Sequence, residues 1–489
     1  MRSGVARLAL TALLGALGAL GFAPFGLFPL TLLMLAGLVD CWRQSATPRA
    51  AALSGFAFGL GFFLTGVSWV FVSMHDFGGM PAPLAAVATL LFCALLALFP
   101  AAAGYLFLRL KSGVWWRDAL LAAAAWTFSE WLRGWVFTGF PWLAVGYAQT
   151  PPSPLAGFAP LLGVYGVSFL SMWLAALLAL AWMKRHRLIP AAAIALVLLT
   201  LGFGLARVEW TQAAAREISV SLLQGNIEQS LKWKPELLQQ SLAVYLKLAR
   251  ENPAQLIILP ETALPTTFDQ LPRDYLRQLT SATANGGDVL LGIVTRDEHN
   301  RYYNSAVGIN ASTGDLQRYS KSHLVPFGEF TPPTFAWTLA LLAIPMSDFS
   351  RGQADQPPLM LAGEQVMPNI CYEDVFGEEI IRALPQATLL INLSNTAWFG
   401  NSWAQPQHLQ IAQMRALESG RVMLRATNTG MTAVVSPRGE IEQTLPPFTT
   451  GALKAKVRGH SGLTPYARWG NAGALLLVLL GLPTRLNQK

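Results

Sequence analysis

Three reactive side chains stand where the chain reads as the end of a β-strand. Glu261 follows the run Leu256–Leu259 and Pro260, Lys321 sits in Tyr319-Ser-Lys-Ser-His323 after a hairpin strand, and Cys371 closes a strand in Asn369-Ile-Cys-Tyr-Glu373. Ligands and catalytic groups favour such strand ends in α/β sheets. A thiol, a carboxylate and an ammonium are groups from which nucleophilic catalysis is assembled. Taken singly, each has a plainer reading: Glu261 as a helix cap, Lys321 as a solvated surface residue, Cys371 as a core thiol. Of the three cysteines, Cys41 and Cys93 fall in apolar stretches, so Cys371 has no disulfide partner in the polar part of the chain. His323 and His408 have no metal-ligand spacing with another His or Cys, so no metal and no cofactor are expected.

These residues need a scaffold, and the region around them alternates between two periods. Ile218–Leu223, Leu256–Leu259, Val289–Val294, Ser305–Asn310, Leu316–Tyr319, Val366–Ile370, Thr388–Leu393, Val422–Ala426 and Thr432–Ser436 read as strands. Residues 235–251, 270–284 and 405–419 read as helices, the first with Leu237, Leu238, Leu242, Tyr245 and Leu248 on one broad face. Strands alternating with helices, plus hairpins, predict a mixed α/β layered domain. The stretch 331–349 is strongly apolar although it lies between polar motifs. It reads either as a core helix or, the favoured expectation, as a segment dipping into a membrane surface.

The rest of the chain is of another kind. The 489 residues are 53% hydrophobic and 13% charged, about half the charged fraction of an ordinary soluble domain. That excludes a disordered protein, a disulfide scaffold and a plain soluble enzyme. Uncharged runs cover 8–39, 50–75, 77–108, 134–183, 188–206 and 469–484, and a bilayer-spanning helix needs about 20 mostly apolar residues. Pro24 and Pro29 split the first run in two, which predicts seven membrane helices before the polar region and one, near 470–484, after it. The expected organisation is therefore a transmembrane domain over 1–207, a catalytic domain over 208–469, and a last helix with its tail over 470–489.

The formal net charge of +8 invites a nucleic-acid reading, which its distribution removes. Residues 208–470 hold 21 Lys+Arg against 23 Asp+Glu, and the apolar remainder holds 14 against 4. In the short loops, 12 of these cations fall on one side of the predicted spans and Arg133 alone on the other. By the positive-inside rule both termini are cytoplasmic and the polar domain lies across the membrane. Arg2, Arg7 and the apolar run after them mimic a cleavable leader, but removing the first helix would upset this alternation.

The segments Leu-Pro-Glu261-Thr-Ala, Tyr-Ser-Lys321-Ser-His-Leu-Val-Pro-Phe-Gly-Glu329 and Ile-Cys371-Tyr-Glu-Asp resemble the Glu–Lys–Cys triad of the carbon–nitrogen hydrolase (nitrilase) superfamily. That resemblance implies an α-β-β-α sandwich over 218–457. Further segments narrow it: Gln224-Gly-Asn-Ile-Glu-Gln-Ser-Leu-Lys-Trp233, Glu130-Trp-Leu-Arg133, Thr138-Gly-Phe-Pro-Trp142 and Leu424-Arg-Ala-Thr-Asn428. With the helices, they make the chain similar to the apolipoprotein N-acyltransferase family of the bacterial inner membrane. The chain departs from that pattern at Thr396 and Thr429, where Asp and Asn are usual.

The resemblance implies transfer of a fatty acyl chain from a phospholipid to the α-amino group of the diacylglyceryl-cysteine that begins an apolipoprotein. Glu261 would be the general base, Cys371 the nucleophile and Lys321 the oxyanion partner, with the backbone N–H of Tyr372 as a second donor. Glu329 and Glu373 would hold the lysine or support the thiol, and Trp233 and Trp398 would help to exclude water. Glu130 and Arg133, three apart in an apolar helix, share a face. They read as contacts to a phospholipid headgroup or as a structural pair at the interface. A membrane-anchored amidase acting on a small C–N substrate is the second reading. An inactive lipid-binding or transport protein, which the intact triad opposes, is the third.

Overall fold

The computed structural model describes residues 2–228, 235–331 and 348–483. Seven long helices occupy the N-terminal part: α1 (Arg2–Gly18), α2 (Phe28–Arg43), α3 (Pro48–Gly66), α4 (Ala82–Leu110), α5 (Trp115–Arg133), α6 (Ala159–Trp182) and α7 (Arg185–Leu205). They match the expected runs, including the split of the first run near Pro24. Five apolar helical stretches, beginning at Gly4, Pro48, Ala82, Pro154 and Arg185, are long and apolar enough to cross a membrane. The other two long helices fall short for visible reasons, since α2 has 16 residues and α5 carries Arg117, Asp118, Glu130 and Arg133.

Small residues set the packing of the bundle. A Cβ on Gly55 would lie 2.3 Å from the Pro100 carbonyl oxygen, and one on Gly61 would lie 2.0 Å from that of Ala12. Helix α3 can therefore approach α4 and α1 only because it has hydrogen at these points.

The polar region folds as two six-stranded sheets. In the first, β1 (Ile218–Gln224), β2 (Leu256–Leu259) and β3 (Asp288–Arg296) run parallel, and β4 (Tyr302–Asn310) and β5 (Leu316–Ser320) extend it by hairpins. In the second, β6 (Leu359–Leu361) and β7 (Glu364–Ile370) are antiparallel, while β7, β8 (Leu389–Ser394) and β9 (Met423–Thr427) are parallel. Strands β10 (Ala433–Val435) and β11 (Ile441–Thr444) complete that sheet, and β12 (Gly451–Val457) returns to pair antiparallel with β1.

Strand alternation sorts the side chains into layers. Ile218, Val220, Leu222, Leu256, Ile258 and Leu290 face the second sheet and its Val366, Ile370, Leu389 and Leu424. The alternate residues Leu223, Ile257, Leu259, Val289 and Leu291 pack against α8 (Pro235–Glu251) and α9 (Arg273–Ser281) through Leu242, Tyr245 and Leu279. On the far side of the second sheet lies α10 (Ala404–Ser419), which gives the α-β-β-α order that the resemblance implied.

Helix α10 joins the two parts. Leu409, Ala412 and Ala416 pack on the sheet, whereas Ile411, Met414 and Leu417 join the bundle core against α6. Its polar residues are buried as well, because no face is left for solvent. Gly420, at φ +63°, ends it in the left-handed conformation that glycine adopts at low cost.

The C-terminal helix α11 (Ala472–Gly481) falls within the stretch near 470–484 where the sequence predicts a last span. Its 10 residues extend about 15 Å at about 1.5 Å per residue, half the thickness of a bilayer core.

Candidate active site

Glu261, Lys321 and Cys371 come together at one end of the sandwich. Lys321 lies just past β5, buried, with Nζ 2.9 and 3.0 Å from the two oxygens of Glu329 and 3.6 Å from Glu261 Oε1. Both carboxylates are fixed by other donors. Asn304 Nδ2 donates to Glu261 Oε1 at 2.7 Å and to Glu329 Oε1 at 2.8 Å. The Asn395 N–H donates to Glu261 Oε2 at 2.7 Å, and the Val325 N–H to Glu329 Oε2 at 2.8 Å. Asn304 lies in β4 and Asn395 just after β8, so each sheet supplies a donor that aims Glu261.

Burial acts to lower the Lys321 pKa, but the neighbouring Glu329 and Glu261 carboxylates outweigh it and raise it above the usual lysine value. The side chain is therefore a fixed cation at any working pH. Burial pushes the Cys371 thiol up, Glu261 adds to that, and Lys321 opposes it. A thiol in this setting waits for a base to remove its proton. The opposite signs of the two neighbours suit a pair in which one takes the proton and the other holds the resulting charge.

Cys371 is half-buried and has φ +53°, in the left-handed region that non-glycine residues avoid. It opens a tight turn over Cys371–Val375, and the residues after it are tied down. Glu373 accepts from the N–H of Ile370, the N–H and hydroxyl of Ser322, the N–H of His323 and the hydroxyl of Tyr319, at 2.7 to 3.2 Å. It therefore joins the cysteine turn to the two residues that follow Lys321. Asp374 accepts from His408 Nε2 at 2.7 Å and Arg425 Nη1 at 3.1 Å, all three fully buried. Arg425 also donates to Asn392 Oδ1 at 2.7 Å, and Asn392 Nδ2 reaches the Cys371 carbonyl at 3.2 Å.

The helical part braces the same turn. The Tyr372 hydroxyl donates to the Gly139 carbonyl at 2.9 Å, and Tyr147 donates to the Val375 carbonyl at 3.2 Å. Arg415 Nη1 donates to the same Val375 oxygen at 3.3 Å. Trp142 Nε1 donates to Gln407 of α10 at 2.8 Å, and Gln407 Nε2 to the Gly66 carbonyl at 3.1 Å.

Glu130 and Arg133 are committed to this loop. Glu130 Oε1 accepts from Trp126 Nε1 and the Val145 N–H, both at 2.9 Å. Arg133 Nη1 donates to the carbonyls of Phe140 and Trp142, both at 2.6 Å, and its guanidinium lies over the Phe63 ring. Both are buried, so of the two expected readings the geometry favours the structural one. They shape the segment that carries Gly139, Trp142 and Tyr147.

Trp398 lies over Phe77 at a ring distance of 6.2 Å, and its carbonyl accepts from Ser73 just beyond α3. Trp233 lies outside the described residues, as do 332–347 of the apolar stretch. The ends of that stretch meet beside the site, with Phe330 bridged to Asp348 and the Phe349 N–H donating to the Glu329 carbonyl at 3.0 Å. Thr396 and Thr429 are buried with hydroxyls that have no hydrogen-bond partner among the described residues. Among the described residues no group of three or more His, Cys, Asp or Glu could hold a metal ion.

Sequence reasoning missed Asn304, Asn392, Asp374 and Arg425 as parts of the site. Asp374 and Arg425 lay in segments already singled out, Ile-Cys371-Tyr-Glu-Asp and Leu424-Arg-Ala-Thr-Asn428; Asn304 and Asn392 carry no spacing signal.

The chain matches two protein families. Residues 14–177 match the Apolipoprotein N-acyltransferase N-terminal domain and residues 219–465 the Carbon-nitrogen hydrolase family. A protein of Nitrosomonas europaea named apolipoprotein N-acyltransferase is 50% identical over 93% of this chain and 91% of its own length. Proteins of the same name from Ralstonia nicotianae and Vibrio cholerae are 49% and 42% identical, over 93% and 92% of this chain and 89% and 91% of their own.

Proposed function

The chain belongs to the apolipoprotein N-acyltransferase family, and on that premise we propose that Glu261, Lys321 and Cys371 carry acyl transfer in two half-reactions. It is a bacterial membrane enzyme with a nitrilase-like domain. The observation that carries the assignment of residues is the buried ammonium of Lys321, held between Glu261 and Glu329 beside a thiol whose pKa is raised.

In the first half-reaction Glu261 takes the thiol proton of Cys371, and the thiolate attacks an ester carbonyl of a membrane phospholipid. The Lys321 ammonium faces the tetrahedral oxyanion. The N–H of Tyr372, in the first turn after the nucleophile where helical N–H groups have no partner within the turn, is the second donor. The carbon–oxygen bond then breaks, the proton passes from Glu261 to the departing lysophospholipid, and a thioester remains on Cys371. In the second, the α-amine of a diacylglyceryl-cysteine attacks that thioester, Glu261 accepts the amine's proton, and the amide forms as the thiol is restored. Glu329 and Glu373 hold Lys321 and the turn in place, and Trp398 lines the approach from α3. The lysine needs no proton exchange at any step.

The charge distribution supports an orientation in which the sandwich lies on the periplasmic side of the inner membrane and both termini on the cytoplasmic side. A reporter at residue 489 and one inserted at Gly314, in the exposed hairpin turn, should then report opposite compartments.

The test of the chemistry is intact-mass spectrometry of the full-length protein mixed with phospholipid. A fatty-acyl adduct should form on Cys371, be removed by hydroxylamine and be absent from Cys371→Ala. Hydrolysis of a small amide without any adduct would favour an amidase, and neither activity would favour a binding protein.

A further inference from the structure

A cavity of about 390 Å³ lies where the end of α5 meets the segment after the catalytic lysine. Trp135 and Thr138 line it from the helical side and Ser322 and His323 from the other, with Arg351 and Arg382 at its walls. His323 is held between Glu379, 3.1 Å from Nδ1, and the Thr138 carbonyl, 3.1 Å from Nε2, which occupies Glu379. Among the described residues neither Arg351 nor Arg382 has a carboxylate within salt-bridge range, and both are exposed. The one other acid on the wall is Glu378. Two guanidiniums without a carboxylate partner therefore stand at this wall, that of Arg351 resting on the Phe330 ring at 4.9 Å. The forked donors of arginine match phosphate oxygens better than any other side chain.

Position narrows the anion further. Trp135 and Phe137 are 52% and 80% exposed just past the end of an apolar helix, where aromatic residues mark a membrane–water interface. The cavity is also next to the chemistry. Ser322 and His323 directly follow Lys321, and the Gly352 N–H donates to the Lys321 carbonyl at 2.8 Å, which sets Arg351 beside the catalytic lysine's own backbone. In a glycerophospholipid the glycerol unit alone separates the phosphate from the ester carbonyls.

We propose that this cavity is the subsite for the phosphodiester of the phospholipid that donates the acyl chain, with Arg351 and Arg382 as its ligands. The proposal rests on the phospholipid-donor reading of the active site. It separates headgroup recognition, on the Arg351–Arg382 wall, from chemistry at Glu261, Lys321 and Cys371.

The experiment uses the full-length protein in detergent micelles and measures the rate of the Cys371 adduct with two donors of identical acyl chains, phosphatidylethanolamine and diacylglycerol. Wild-type protein should prefer the phospholipid. In the R351Q/R382Q double variant that preference should fall at least tenfold, through a higher half-saturating phospholipid concentration. Single variants should fall between, and the corresponding Lys variants should keep more of the preference. A preference within twofold of wild type overturns the proposal, as does an equal loss towards both donors, which would make the arginines structural. Weaker phospholipid binding with unchanged adduct rates would mean a resident lipid instead of the donor, and also overturns it. If wild-type protein forms no adduct with either donor, the acyl-donor reading itself fails, which the variants alone would not reveal.

Discussion

Replacing Glu373 with glutamine should slow acylation of Cys371 by roughly 30- to 1000-fold while leaving the donor's half-saturating concentration nearly unchanged. The carboxylate is buried and acts only as an acceptor. One oxygen receives four donors, from Tyr319, Ser322 twice and His323, and the other receives the Ile370 N–H. Glutamine matches its shape but has one oxygen. If that oxygen keeps the four donors, its amide N–H₂ must face the Ile370 N–H, and a buried unsatisfied donor costs about 1–3 kcal/mol. The remaining four bonds also lose their charge assistance, each falling by roughly 1 kcal/mol. Part of that total weakens the fold. The part felt in the transition state is whatever lets the Ser322–His323 segment, and Lys321 before it, shift relative to the Cys371 turn. We take this as about 2–4 kcal/mol, and about 1.4 kcal/mol is tenfold in rate. The assay is the single-turnover rate of adduct formation at saturating phospholipid, followed by intact mass. An E373Q rate within about threefold of wild type, with an unchanged unfolding midpoint, would refute the idea that this carboxylate registers the lysine against the cysteine. So would a loss confined to donor affinity.

Four further outcomes follow from the same geometry. Because burial and Glu261 raise the Cys371 thiol, its alkylation by iodoacetamide should be slower at pH 7 than that of a free cysteine and should keep rising past pH 8.5, where a free thiol is half ionised. A plateau near that pH would contradict the site. Glu329→Gln should move that profile to lower pH, since its charge also raises the thiol, yet slow acylation about 10- to 100-fold by loosening Lys321. In α10, Arg415→Met strips the partner from Glu418, whose oxygen lies 2.8 Å away and fully buried, and should cost about 3–5 kcal/mol in chemical denaturation. Tyr147→Phe leaves Arg415 on the shared Val375 carbonyl and should cost no more than about 1.5 kcal/mol.

Glu261 and Cys371 were legible as candidates because each ends a strand with apolar residues before it, which is a local signal, whereas Lys321 follows Leu316–Ser320, a mixed run that reads as a strand only as the return arm of a hairpin. The strands themselves were legible for the same reason, with instructive exceptions. Gly451–Val457 alternates Leu453, Ala455 and Val457 with Lys454 and Lys456, a period of two that was there to be read. It gains its meaning only from pairing with β1, more than two hundred residues earlier. Asn304 was invisible because an asparagine in a strand gives no hint that its two amide protons go to two different carboxylates. The last apolar run gives a helix of only 10 residues, because Gly470, at φ +57°, and Pro483 bound it.

The helix Ala404–Ser419 shows why the division of the chain into a membrane part and a polar part, clear in composition, does not carry over to mechanics. Gln405, Gln407, His408, Gln410, Gln413, Arg415 and Glu418 would mark a solvated face in an isolated domain. Here they are buried, because the helix has the second sheet on one side and α6 on the other. Its polar groups are spent on both neighbours. His408 holds Asp374 in the cysteine turn, Gln407 holds Trp142 and Gly66 of the bundle, and Glu418 accepts from the Val164 N–H of α6 at 2.7 Å. The turn that keeps Cys371 at φ +53° thus has fixed points in both parts, with Gly139 and Tyr147 on the bundle side. A left-handed non-glycine residue costs of order 1–3 kcal/mol and persists only when its surroundings over-determine it. Part of what determines this one lies in the segment between α5 and α6, so the sandwich cut away at residue 208 should keep its sheets but lose the geometry of the Cys371 turn.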